Sequence, residues 1–148
     1  MALKHKILVT GSRYWDDYQM VQDLICDVLS DFEWYSKECE LIHGGAPGAD
    51  EMAARFCSGY FDMTVTEFPA DWGKHGKSAG PKRNQQMVDY GADICLAFIM
   101  PNSKGTMDCL KRAAVAGIQV IAVGKNHDGP CGIGDCKCLS KKTSQKSQ

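Results

Sequence analysis

His43-Gly44-Gly45-Ala46-Pro47-Gly48-Ala49-Asp50 is the stretch whose reading decides the fold. The apolar pair Leu41-Ile42 leads into it and a helix-patterned segment, residues 51–60, leads out. Three glycines and a proline in one strand-to-helix turn let the backbone come close to a neighbour. A helix N-terminus aimed at that gap offers unpaired N–H groups and the positive end of a dipole, and both favour an anion, most often a phosphate. The turn therefore reads as one wall of a nucleotide-phosphate site. Its spacing is Gly-Gly-x-x-Gly and not Gly-x-Gly-x-x-Gly, so NAD binding of the dehydrogenase kind is not implied.

On either side of this turn, strand and helix patterns alternate. Residues 6–10 (Lys-Ile-Leu-Val-Thr) form a short β-branched run that reads as a buried first strand. Tyr18, Val21, Leu24, Ile25, Val28 and Leu29 then recur at helical spacing, with Asp16 as the expected cap and Gln19 completing a capping box. Residues 39–43 are the second strand and residues 48–60 the second helix. Residues 63–68 alternate as a third or edge strand does, and residues 69–81, rich in Gly and Pro, read as a loop. A helix over 82–90, a fourth buried strand over 93–100, a turn over 101–105, a helix over 106–116 and a fifth strand over 118–123 complete the pattern. Strands separated by helices of this length specify a parallel sheet with right-handed crossovers. The expected fold is a single α/β domain over residues 1–123, doubly wound and Rossmann-like, with about five strands. Residues 124–148 are rich in Gly, Lys, Ser and Gln and are expected to be a mobile tail.

Bulk properties narrow the function. The 148 residues are 44% hydrophobic and 24% charged, enough for one core, and the net charge of −1 argues against a general nucleic-acid binder. No apolar run approaches a membrane span, and the N-terminus enters a strand pattern directly, without a signal peptide, so a cytoplasmic protein is expected. Of the eight cysteines, Cys26, Cys39, Cys57, Cys95 and Cys109 fall in or beside predicted elements, as small apolar residues do. A reduced protein without a disulfide framework follows. His127, Cys131, Cys136 and Cys138 lack the paired Cys-x-x-Cys of zinc sites, so no metal is expected.

The polar motifs all follow a strand, which places four glycine-bearing loops on one edge of the sheet, where such folds bind ligands. Gly11-Ser12-Arg13 follows strand one, with Ser12 and its neighbouring amides suited to a phosphate and Arg13 to a bidentate clamp. After strand two come His43, Gly44, Gly45 and Gly48 for ligand contact, and Asp50 for a ribose hydroxyl or the dipole of its own helix. The third loop holds Asp71, a candidate base or ribose ligand, Trp72, a stacking surface or packing anchor, and the cations Lys74, Lys77, Lys82 and Arg83. Ser103, Gly105 and Thr106 after strand four form a second anion cradle at a helix start.

Taken together, Thr10-Gly11-Ser12-Arg13, His43-Gly44-Gly45-Ala46 with Gly48-Ala49-Asp50, Asp71-Trp72 with Gly76-Lys77, Ala79-Gly80 and Arg83-Asn84, and Ser103 with Gly105-Thr106 resemble the YpsA-related branch of the SLOG superfamily. The resemblance covers about residues 6–123. It implies a Rossmann-like domain for nucleotides or nucleotide-derived ligands, with Asn84 joining the binding set, and assembly of copies through exposed helices as a homo-oligomer. The superfamily also holds the Lonely Guy phosphoribohydrolases. Their Pro-Gly-Gly-x-Gly-Thr motif is followed, after two intervening residues, by a catalytic Glu. Here Pro101-Asn102-Ser103-Lys104-Gly105-Thr106 keeps the Gly-Thr but replaces the two earlier glycines, Cys109 holds the Glu position, and Arg83-Asn84 matches their Arg-Lys pair with the Lys lost. Cleavage of an N-glycosidic bond needs a carboxylate, for which Asp108, Asp71, Asp50 and Glu51 are the substitutes. The expectation is a protein that binds a phosphate-bearing nucleotide, such as a nucleoside monophosphate or an ADP-ribose derivative, with no resident cofactor. If it is an enzyme, Asp71 or Asp50 serves as acid/base and Arg83 or Arg13 holds phosphate. The alternative is a sensor or sequestering protein for a nucleotide signal.

Overall fold

The computed structural model describes residues 3–124 and the backbone of residues 136–138. Six strands form one parallel sheet in the order β3-β2-β1-β4-β5-β6. They are β1 (His5–Gly11), β2 (Cys39–His43), β3 (Thr64–Glu67), β4 (Ile94–Ile99), β5 (Gln119–Gly124) and β6 (Cys136–Cys138). The helices are α1 (Tyr18–Asp31), α2 (Ala49–Tyr60), α3 (Trp72–His75), α4 (Ala79–Tyr90) and α5 (Lys104–Val115). This is the doubly wound arrangement expected from the alternation, with the switch point between β1 and β4. The sixth strand lies inside the stretch read as a tail, where Ala122, Val123 and Gly124 pair with Cys136, Lys137 and Cys138. The rest of that stretch, with His127 and Cys131, lies outside the described residues.

Side-chain alternation along the central strands builds a core on each face. Ile7, Val9, Leu41, Leu96 and Phe98 point to the side covered by α1 and α2, where Val21, Ile25, Ala53 and Phe56 meet them. Leu8, Ile42, Cys95 and Ala97 point to the other side, against Met87 and Val88 of α4 and Cys109, Leu110 and Ala113 of α5. All of β2 and β4 is buried, as near-continuous apolar runs in parallel sheets require. β3 is the partly exposed edge that its alternating pattern predicts.

Four features differ from expectation for identifiable reasons. The N-cap of α1 is Asp17, not Asp16: its carboxylate accepts from Met20 N at 3.0 Å, and Trp15 Nε1 donates to Asp17 O at 3.0 Å and fixes the turn. Residues 69–81, read as a loop, contain α3 and a 3₁₀ turn (Gly76–Ser78). Helix α4 starts at Ala79, ahead of Pro81, which reads as a helix breaker but sits in the first turn, where no intrahelical N–H is needed. Helix α5 likewise begins at Lys104, inside the turn expected over 101–105.

The β2–α2 turn is locked against the β1 loop. Gly48 has φ +84° and ψ −126°, a region open essentially to glycine, and a Cβ there would lie 2.4 Å from Ser12 O and 2.7 Å from Arg13 C. Gly48→Ala is expected to lower unfolding stability by about 2–4 kcal/mol in urea titrations, from combined strain and overpacking. Val115→Ser, at a position 91% exposed, is the control and stays within about 0.5 kcal/mol of wild type.

Candidate functional site

A cavity of about 550 Å³ opens at the carboxyl edge of the sheet, over the switch point between β1 and β4. Its size suits a small organic ligand. All four polar loops reach it: Gly11, Ser12 and Arg13 after β1, Ala46 and Asp50 after β2, Trp72 after β3, and Ser103, Gly105 and Thr106 after β4. Arg83, Asn84, Met87 and Pro81 of α4 close one side. The sequence anticipated this convergence. It did not anticipate Tyr14 or Met87, which also line the cavity. Tyr14 is 75% exposed although the cavity is beside it, and it directly follows the Gly-Ser-Arg motif. That proximity was the available signal.

The two helix starts facing the cavity differ. At α2 the amide of Ala49 donates to Ser12 O at 3.3 Å, so the helix end is engaged by the chain itself. Asp50, in the first turn of α2, turns its carboxylate back onto the preceding turn and Oδ2 accepts from Gly44 N at 3.0 Å and Ala46 N at 3.5 Å. At α5 the N-cap Ser103 does not cap its helix: its hydroxyl accepts from Met100 N at 3.0 Å instead. The first-turn amides of α5 are left to the cavity, and a Cβ added at Gly105 would meet nothing within 4 Å. The open helix start is therefore at the fourth loop rather than at the stretch that decides the fold.

The glycines of the second loop make room for protein, not for open space. A Cβ on Gly44 would strike the Arg83 guanidinium, on Gly45 the Glu67 carboxylate, on Gly48 the Ser12–Arg13 backbone, and on Gly11 the Ala49 side chain. Among these four, Gly11 alone lines the cavity. His43 is buried behind the loop, accepts from Gly45 N through Nδ1 at 3.0 Å and lines a separate groove with Glu51 and Glu67. Burial holds its imidazole below the usual value, with Arg83 adding to the shift and Glu67 opposing it.

Three cations and one amide separate in the same way. Arg83 sends Nη1 to the carbonyls of Gly44 and Phe68 and donates from Nε to Asn84 Oδ1 at 3.0 Å. Asn84, 3% exposed, donates to Gly105 O at 3.3 Å and to Asp108 Oδ2 at 2.9 Å. Both line the cavity, yet these bonds tie loops together. Arg13 is exposed at the cavity and makes no ion pair or side-chain hydrogen bond among the described residues. Lys77 is exposed on the 3₁₀ turn and does not line the cavity. Asp71 does not line it either; its carboxylate caps α3, accepting from Lys74 N at 3.0 Å. Trp72, 60% exposed, is no packing anchor and presents its ring at the cavity beside Gly80.

Comparison with known proteins agrees with this fold. A sequence model of the YspA, cpYpsA-related SLOG family matches residues 5–75. The Gene 61 protein of Mycobacterium phage D29 is 43% identical over 123 residues, covering 80% of this chain and 96% of that protein. The chain belongs to the YspA, cpYpsA-related SLOG family. The family match spans the first two loops and reaches α3, and the phage relative extends the likeness across most of the sheet. Within this SLOG domain, Cys109, which the resemblance to the Lonely Guy motif sets at its glutamate position, is fully buried and absent from the cavity wall. Burial pushes its thiol up to about 11, against an opposing contact from Thr10, so it supplies neither a carboxylate nor a thiolate. Asp108 lines the cavity, but Oδ2 is held by Arg112 and Asn84. Burial alone would raise its carboxyl, and those two bonds outweigh burial and keep it low. Glu51 is exposed and pairs with Arg55.

Asp50 is the remaining carboxyl. It is 4% exposed, and burial raises it to about 7 against the opposing bonds from Gly44 and Ala46 and the charge of Arg83, with Glu67 adding to the rise. Because the folded value lies above the unfolded one, the native state holds the extra proton between about pH 4 and about pH 7. Stability therefore falls as pH rises through that window and stays lower above it. Asp50→Asn keeps an acceptor for Gly44 N and removes the ionisation. In thermal and urea unfolding it is expected to match wild type near pH 4 and to exceed it by about 2–4 kcal/mol at pH 8. Parallel pH profiles for the two proteins would refute this assignment.

Proposed function

We propose that this SLOG protein binds a phosphate-bearing nucleotide or nucleotide-derived ligand in the cavity at the β1–β4 switch point. One observation carries the reading: the α5 start, uncapped by its own Ser103, and Arg13, a cation unpaired among the described residues, border the same cavity. Unpaired amides at a helix start and a guanidinium together suit an oxyanion, and a phosphate is the one that a nucleotide carries. Ser12 adds a donor, because its Oγ accepts from Tyr14 N at 3.0 Å and keeps its own proton for a ligand. The exposed ring of Trp72 supplies a stacking face for a base.

Binding without turnover is favoured by the buried Cys109 at the Lonely Guy glutamate position, which makes a nucleotide sensor or sequestering protein the leading form of the proposal. Hydrolysis of an N-glycosidic bond has one observation in its favour, the Asp50 carboxyl that titrates near neutrality at the cavity wall. Incubation with nucleoside monophosphates and ADP-ribose separates the two: ligand returned intact marks a binder, free base marks a hydrolase.

Calorimetry with nucleoside 5′-monophosphates and ADP-ribose tests the site itself. Arg13→Ala is expected to weaken binding by about 10–100-fold, the worth of a charged hydrogen bond, with the melting temperature unchanged because Arg13 has no partner within the described chain. Trp72→Ala is expected to weaken it by about 5–30-fold. Absence of heat from every nucleotide with the wild-type protein would overturn the proposal.

A further inference from the structure

Among the described residues, Asp50 Oδ1 is the buried side-chain oxygen without a hydrogen-bond partner. A buried polar atom left unpaired is costly, and in native proteins such an atom asks for an explanation. Its sister Oδ2 is held by Gly44 N and Ala46 N, which fixes the carboxyl in place. Asp50 lies at the cavity wall with Thr10 and Thr106, two other buried polar residues, so the floor of the cavity is polar where the surrounding core is not.

The other recognition elements leave one part of a nucleotide for this floor. Phosphate belongs with the α5 start and Arg13, and a carboxyl is a poor neighbour for it. A base belongs with the exposed Trp72. The sugar joins the two and spans the floor. A hydroxyl is also the uncharged group that serves a carboxyl in either protonation state, since it donates to the ionised oxygen and accepts from the protonated one. Accordingly, and resting on the nucleotide reading above, we propose that Asp50, a residue of the wall of the cavity that Arg13 and the α5 start border, takes on its unpartnered Oδ1 a sugar hydroxyl of a ribonucleoside 5′-phosphate and so selects ribose over deoxyribose. A site built around a ligand hydroxyl rejects the analogue that lacks it, because the buried group is then left unpaired.

The test is calorimetry at pH 8.5 with AMP, GMP, CMP and UMP and with the 2′-deoxy and 3′-deoxy forms of whichever binds. The wild-type protein is expected to prefer the ribonucleotide by about 10–100-fold over the deoxy form lacking the partner hydroxyl. In Asp50→Ala that preference is expected to shrink to within about threefold, chiefly through loss of affinity for the ribonucleotide. Asp50→Asn, which keeps an acceptor for Gly44 N and removes the charge-assisted bond, is expected to lower the preference at least threefold and serves if the alanine variant does not fold. Equal affinity of the wild-type protein for ribo and both deoxy forms overturns this inference alone. So does an undiminished preference in a folded Asp50 variant. No binding of any of the four ribonucleotides overturns the nucleotide reading and this inference together.

Discussion

Two consecutive residues of α4 hold the carboxyl edge of the sheet in shape. Arg83 donates to the carbonyls of Gly44 and Phe68, at the ends of β2 and β3, and Asn84 donates to Gly105 O and Asp108 in α5. Arg83 Nε meets Asn84 Oδ1, so the two side chains act as one linked group. A guanidinium has five donors in a rigid fork and suits this work, because loop carbonyls at strand ends have no strand partner of their own. The chain continues through Asp108 to Arg112 and on to Gln85, which returns it to α4. Three loops that are far apart in sequence thus share one polar framework, and the cavity is the space that framework keeps open.

The fold was legible because its signal is redundant. Apolar runs such as Ile94 to Ile99, buried throughout, recur at intervals that helices fill, and no single residue decides the outcome. The convergence of four loops was legible for the same reason, since in a parallel sheet every loop after a strand exits on the same edge. The boundaries that failed were local. Gly80 and Pro81 look like breakers, and only the three-dimensional register shows Pro81 inside a first turn. Asp16 and Asp17 are chemically equivalent, and the choice between them falls to Trp15, whose indole fixes the backbone of the second.

Roles within the site were harder to read than membership of it. A glycine in a turn announces close approach without saying what approaches. At Gly44, Gly45 and Gly48 it is Arg83, Glu67 and the first loop; at Gly105 it is open space. A carboxylate likewise announces chemistry without a location. Asp71 is spent on capping α3, and Asp108 on Arg112 and Asn84, while Asp50 keeps one oxygen unpaired. The glycine contacts depend on partners far away along the chain, such as Arg83 for Gly44, 39 positions on, which no spacing rule in the sequence reports.

The tryptophans occupy three unlike surroundings: Trp15 is 2% exposed in the core, Trp34 is stacked on His5 and Phe32, and Trp72 is 60% exposed at the cavity. Water relaxes around an excited indole, so the outermost of the three emits at the longest wavelength and is the one a dissolved quencher reaches first. The molecule thereby carries its own optical reporter: light gathered at the red edge of its emission comes chiefly from the mouth of the cavity, with the interior nearly silent.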